Sequence, residues 1–167
     1  MSTPVKTILC AVSLTEASKV VLMAAFREAW SHDAKVHLLH VIPGFDAAMA
    51  IPIASFIGEE KFARLMKEKR DETTVLIRQK IKGLKDQIIQ ERDRYTEEMI
   101  AALHVFDGDP AIQILNMVGA LKPDMLVIGS HAKGFTEHTF MGSVATKVLK
   151  RIRIPCLVVP PINQQGH

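Results

Sequence analysis

The residues of this chain best placed to do chemistry lie between Gly129 and Val144. Ahead of them, Asp124-Met125-Leu126-Val127-Ile128 is an apolar run that reads as a strand buried on both faces of a parallel sheet. It leads directly into Gly129-Ser130-His131-Ala132-Lys133-Gly134, then Phe135 to Met141. Gly142-Ser143-Val144 follows, and from there helical periodicity continues through Ile152. A strand ending in a glycine turn, followed by a helix that opens on Gly-Ser, presents backbone N–H groups with no partner of their own. Such a place suits an anion, and phosphate is the usual one. Two familiar phosphate fingerprints are excluded. A Walker A loop needs G-x-x-x-x-G-K-[ST], whereas Gly134 is followed by Phe135, and no G-x-G-x-x-G occurs anywhere.

The other reactive side chains do not assemble into a catalytic set. No G-x-S-x-G elbow surrounds Ser143, and no H-E-x-x-H or C-x-x-C pair supplies a metal site. His37 and His40 are three apart on a predicted strand and therefore point to opposite faces. Asp107 and Asp109 belong to a turn and a helix cap rather than to a carboxylate pair. Cys10 and Cys156 fall in predicted strands with apolar neighbours, as small core residues in a reducing compartment do. Lys147, Lys150, Arg151 and Arg153 gather at a helix C-terminus, where they complement the dipole.

Composition narrows the classes further. A chain of 167 residues is long enough for one domain with a real core and short for two. Its 48% apolar and 23% charged content is that of a globular protein, and 21 basic against 18 acidic residues leave only +3. Nucleic acid is thus not the expected partner. No charged n-region followed by an apolar h-region opens the sequence, and the apolar stretch 45–57 is shorter than the ~20 residues a spanning helix needs. The expectation is a cytoplasmic protein with no membrane insertion.

The elements that must hold the Gly129 turn can be read in order. Val5 to Val12 is a first strand, and Ser13-Leu14-Thr15-Glu16 has the spacing of a capping box for a helix ending near His32-Asp33. Lys35 to Ile42 is a second strand, stopped by Pro43-Gly44. The segment 45–58 reads either as a loop and short helix folded over the sheet edge or as an apolar flap or partner surface; Pro52 and Gly58 oppose one long helix. Residues 59–97 form a long charged helix that Gly83 bends or breaks. Met99 to Val105 is a third strand, Asp109 caps a helix with Pro110 at its first position, and Cys156 to Val159 is the last strand. Five strands alternating with four helical regions make a doubly wound α/β domain. Ser13, Val41-Ile42 and Gly129 to Ser143 then share one crevice at the strand ends if the first and fourth strands are neighbours.

The same residues resemble the universal stress protein family, the UspA-like small α/β proteins. Nucleotide-binding members carry G-x2-G-x9-G-[ST] after the fourth strand, and Gly129, Ala132 and Gly142-Ser143 keep that spacing, with Ala at the middle glycine. Ile8-Leu9-Cys10-Ala11-Val12, His40-Val41 and Pro155-Cys156-Leu157-Val158-Val159-Pro160 also match, so that the likeness spans nearly the whole chain. It implies a single Rossmann-like domain over 1–167 with strand order 3-2-1-4-5. It further implies that Gly129 and the amides of Gly142, Ser143 and Val144 meet the phosphates of ATP, with Mg, or more weakly of ADP or AMP. The Val41 backbone would contact adenine, Ile128 and Ser13 would line the site, and His131 would reach ribose or phosphate. Where ATP-binding members typically end strand one with Asp, this chain has Ser13; with Ala132, that predicts weaker binding or none. The resemblance implies a stress or energy sensor with at most slow ATP hydrolysis, or else a nucleotide-free adaptor or regulator of a partner protein. Dimerisation through Cys156 to Val159 is expected in both.

Overall fold

A computed structural model of the chain describes residues 3–15, 17–44, 47–130 and 141–161. Five parallel strands form one sheet in the order β3-β2-β1-β4-β5, as expected from the sequence: β1 is Thr7–Ala11, β2 Lys35–Pro43, β3 Ile100–Gly108, β4 Met125–Gly129 and β5 Cys156–Val159. The helices are α1 (Ser18–His32), α2 (Ala47–Ile57), α3 (Glu59–Glu91), α4 (Pro110–Leu121) and α5 (Ser143–Leu149). Among the described residues the helix count therefore rises from the expected four to five. Gly58, at φ 93°, divides the β2–β3 crossover into two helices, and Pro52 sits inside the first of them.

Both faces of the sheet are covered, which is why its central strands read as unbroken apolar runs. Strand alternation sends Ile8, Cys10, Val36, Leu38 and Val127 to one face, against Leu22 and Phe26 of α1 and Ile77, Ile81 and Ile88 of α3. It sends Leu9, Leu39, Leu126 and Ile128 to the other, against Ile114 and Met117 of α4 and Val148 of α5. Each fully buried aliphatic side chain contributes roughly 1.5–3 kcal/mol. These two layers therefore fix the register Ala11 beside both Leu39 and Ile128.

Local departures from the sequence reading have local causes. The expected capping box at Ser13-Glu16 does not cap α1, which starts at Ser18 behind Ala17 with no side-chain cap; Glu16 lies outside the described residues. Instead the Ser18 hydroxyl accepts from the Thr15 amide at 3.1 Å. The third strand starts at Ile100 rather than Met99, because Glu97–Met99 is a 3-10 turn, and it continues to Gly108. There φ is 129° and a side chain would be strained. Gly83 lies within α3, which runs unbroken through it. Asp109 caps α4 as read, accepting from the Ile112 amide at 3.0 Å, and α5 ends at Leu149, short of Ile152, its last turn tightened by Arg151 and Ile152 amides on the Val148 carbonyl.

Candidate functional site

The chain leaves β1 for β2 and β3 on one side, then returns to place β4 on the other. Between β1 and β4 the direction of winding reverses. In doubly wound sheets such a reversal is where ligands bind, outside the carboxyl ends of the strands. Ser13 stands at the end of β1, Gly129 ends β4, and Gly142 is the residue before α5.

Two backbone bonds fix the β4 side of this rim. The Ser130 amide donates to the Val159 carbonyl at 2.9 Å, and the Gly142 amide donates to the Ser130 carbonyl at 2.7 Å. The backbone at Ser130 is thereby joined both to β5 and to the residue before α5. Gly142 has φ −68° and ψ 161°, values open to any residue, so its backbone conformation does not demand glycine. The Gly142 carbonyl accepts from the Thr146 amide at 3.0 Å and the Thr146 hydroxyl at 2.9 Å. By helix geometry the amides of Ser143, Val144 and Ala145 have no intrahelical acceptor. The Gly142 amide, expected to meet a phosphate, is instead committed to Ser130, which leaves Ser143 and Val144 as the expected donors still available.

The β2 side follows from register. The Val12 amide donates to the Leu39 carbonyl at 2.9 Å, so Leu39 turns its backbone toward β1. Val41, two residues on, turns its amide and carbonyl to the same side, past the last β1 partner, Ala11 paired with Leu39. Its backbone therefore faces the open rim above Ser13, while its side chain stays in the core. On the opposite sheet face the ring of His40, buried, donates through Nδ1 to the Val12 carbonyl at 2.8 Å. Val12 is thus held to β2 by two bonds. Sequence reasoning singled out neither Ser130 nor the ring of His40 as an anchor.

Ser13 itself is occupied. Its hydroxyl lies 2.9 Å from that of Thr15 and 3.4 Å from that of Ser18, in a local hydroxyl cluster. Asp109, at the start of α4, is committed to its cap and lies 3.5 Å from Lys147 of α5. The Ile112 amide first, and then Lys147, hold its carboxyl below the usual carboxylate range. Burial pushes the Cys10 thiol up to about 12 and that of Cys156 to about 11, so both are protonated at neutral pH and packed rather than reactive. No group of three or more His, Cys, Asp or Glu among the described residues could hold a metal ion. Two expected site residues, His131 and Ala132, lie outside the described residues. The rim brings together the backbone of Val41, Ser13, the end of β4 at Ile128-Gly129 and the α5 start, a geometry that suits a phosphate-bearing ligand lying along the strand ends.

Comparison with known proteins agrees with this architecture. The model of the universal stress protein family matches residues 4–160. Universal stress protein MJ0531 of Methanocaldococcus jannaschii is 27% identical over 141 residues, 77% of this chain and 74% of that protein. The structure of universal stress protein UspA from Lactobacillus plantarum matches with a TM-score of 0.65 at 16% identity, over 96% of this chain and 100% of the other. A universal stress protein solved in complex with cAMP matches with a TM-score of 0.61 at 16% identity, over 95% of this chain and 98% of the other. At such identities the two structures speak to the fold.

Proposed function

Because this chain belongs to the universal stress protein family, we propose that its β1–β4 rim binds an adenine nucleotide, ATP with Mg, and that occupancy reports stress or energy state to a partner in the cytoplasm. The observation that carries this reading is the α5 start: a glycine whose φ does not require one, followed by amides without intrahelical acceptors. Ser143 and Val144 would donate to phosphate, together with the Ser143 hydroxyl. The Val41 backbone, turned past the end of β1, would meet adenine. His131 and Ala132 would complete the loop, and Mg would ride on the phosphates, since the nearby Asp109 is committed to its cap. A related protein solved with cAMP lends the nucleotide class support.

Ser13 favours a second reading, a nucleotide-free adaptor, because its hydroxyl is already engaged with Thr15 and carries no charge. In both readings the outer edge of β5, unpaired among the described residues and flanked by Pro155 and Pro160, suits pairing with a second copy. Calorimetric titration with Mg-ATP of protein freed of copurified nucleotide separates the two. The sensor reading expects saturable micromolar binding that is lost in Gly142→Asp, which puts a carboxylate where phosphate would lie, and that tightens in Ser13→Asp. Absence of binding up to millimolar ATP would leave the adaptor.

A further inference from the structure

The nucleotide reading makes no use of α2. Ala50, Ala54 and Ile57 share one face of it and are half-buried, and α3 is the element that α2 chiefly meets. A second apolar stripe of the same helical spacing faces solvent: Met49, Ile53 and Phe56 are 60%, 39% and 91% exposed, while Ile51, at 67%, lies on the other flank of the helix. No charged residue interrupts α2. Its one hydroxyl, on Ser55, already donates to the Ile51 carbonyl at 2.9 Å. Covering this face would therefore strand no polar side chain.

We propose that the outer face of α2 is a contact between two copies of this chain, packed α2 against α2 about a two-fold axis. Two observations choose this occupant. The three side chains of the stripe expose on the order of 400 Å² of apolar surface per copy, and a two-fold contact doubles it. With the charged shoulders of α3 included, the total reaches the roughly 1,000 Å² that a specific contact needs. Those shoulders also carry both signs equally: residues 59–72 hold five acidic and five basic side chains. A mixed rim complements its own copy, whereas an anionic membrane would be met by a basic one. The spacing i, i+4, i+7 is that of a ridge seating in the groove of a like helix. This contact is separate from pairing at the β5 edge, which lies across the sheet from β2 and β3, the strands that α2 and α3 connect.

The test uses the full chain. Near a two-fold axis a residue meets its own counterpart, so Phe56→Cys, made in a Cys156→Ser background, is expected to crosslink copy to copy with a short bismaleimide. Leu76→Cys, exposed near the middle of α3, is not. Phe56→Asp is expected to halve the weight-average mass in equilibrium sedimentation at micromolar concentration, with the far-UV spectrum unchanged, because Phe56 makes almost no contact within its own chain. Equal masses for Phe56→Asp and the parent, or no Phe56→Cys crosslink above the Leu76→Cys level, would overturn the proposal. So would flotation of the parent, but not of Phe56→Asp, with phosphatidylcholine–phosphatidylglycerol vesicles, which would assign the face to lipid.

Discussion

On β2 and β3, away from the rim, two histidines meet. Nδ1 of His37 and Nε2 of His104 are 3.1 Å apart, with ring planes 12° from parallel and centroids 5.4 Å apart. The centroid separation is close to the N···N distance plus a ring radius at each end, so the rings meet edge to edge in nearly one plane. One N–H lies between them, and either ring can supply it. Burial first, and then His104, hold His37 below the ordinary histidine range; burial first, and then the Arg78 guanidinium, do the same for His104. Their folded pKa values lie below the unfolded ~6.5, so the unfolded chain binds protons first as pH falls. The stability this pair contributes is complete above pH ~6.5 and is lost as pH falls through the folded values. Urea denaturation at pH 7, 6 and 5 should show a falling midpoint, and the fall should be smaller in His104→Leu; parallel slopes would clear the pair of this role. The same scale explains what could be read of the site. Gly142 before a helix is legible because cap and turn chemistry is local. The ring of His40 is not, since its partner Val12 is 28 residues away and meets it only when β1 and β2 pair.

At the scale of elements, the strands were legible because both sheet faces are buried and every central strand announces itself as an apolar run, while their order came from the family resemblance. Helix starts were less so. Ser13-x-x-Glu16 has the spacing of a cap, yet the hydroxyls of Ser13, Thr15 and Ser18 satisfy one another and α1 starts five residues after Ser13. The crossover was the hardest to read: α2 is an uncharged helix around Pro52, and propensity alone does not reveal such an element when no core face selects it. In α3, the expected bend or break at Gly83 did not form. A Cβ at Gly83 would meet nothing within 4 Å, and the helix continues from Ile81 to Ile88, both buried. Gly83→Ala is therefore expected to stabilise the protein by about 1 kcal/mol, by removing unfolded-state freedom without a clash. Ile81→Ala, two residues away on the buried face, should cost about 2–5 kcal/mol through the cavity it leaves. Urea midpoints of the two variants measure both effects. A Gly83→Ala midpoint at or below that of the parent would mean that the glycine is needed for a bend that the packed helix does not display.

For the whole molecule, stability is distributed unevenly along one continuous element. Three residues of α3 are buried, Ile77, Ile81 and Ile88, all in its C-terminal half. A helix of 33 residues is about 50 Å long, and its first four turns together with α2 have no buried side chain among the described residues to tie them to the sheet. By contrast β1 and β4 lie between the two cores, with Ile8, Leu9, Leu126 and Val127 fully enclosed. Helical hydrogen bonds without tertiary support open at a small fraction of the global unfolding free energy. Hydrogen exchange followed by mass spectrometry should thus show residues 47–73 exchanging first, and β1 and β4 last. The α2 contact adds a signature that separates it from a merely loose arm: raising the protein concentration should slow exchange in 47–57 while leaving β1 and β4 unchanged, since mass action protects only what the second copy covers. Exchange in 47–57 that is fast and independent of concentration would make the arm free, and protection equal to that of β1 in dilute protein would mean that the two helices belong to the core after all.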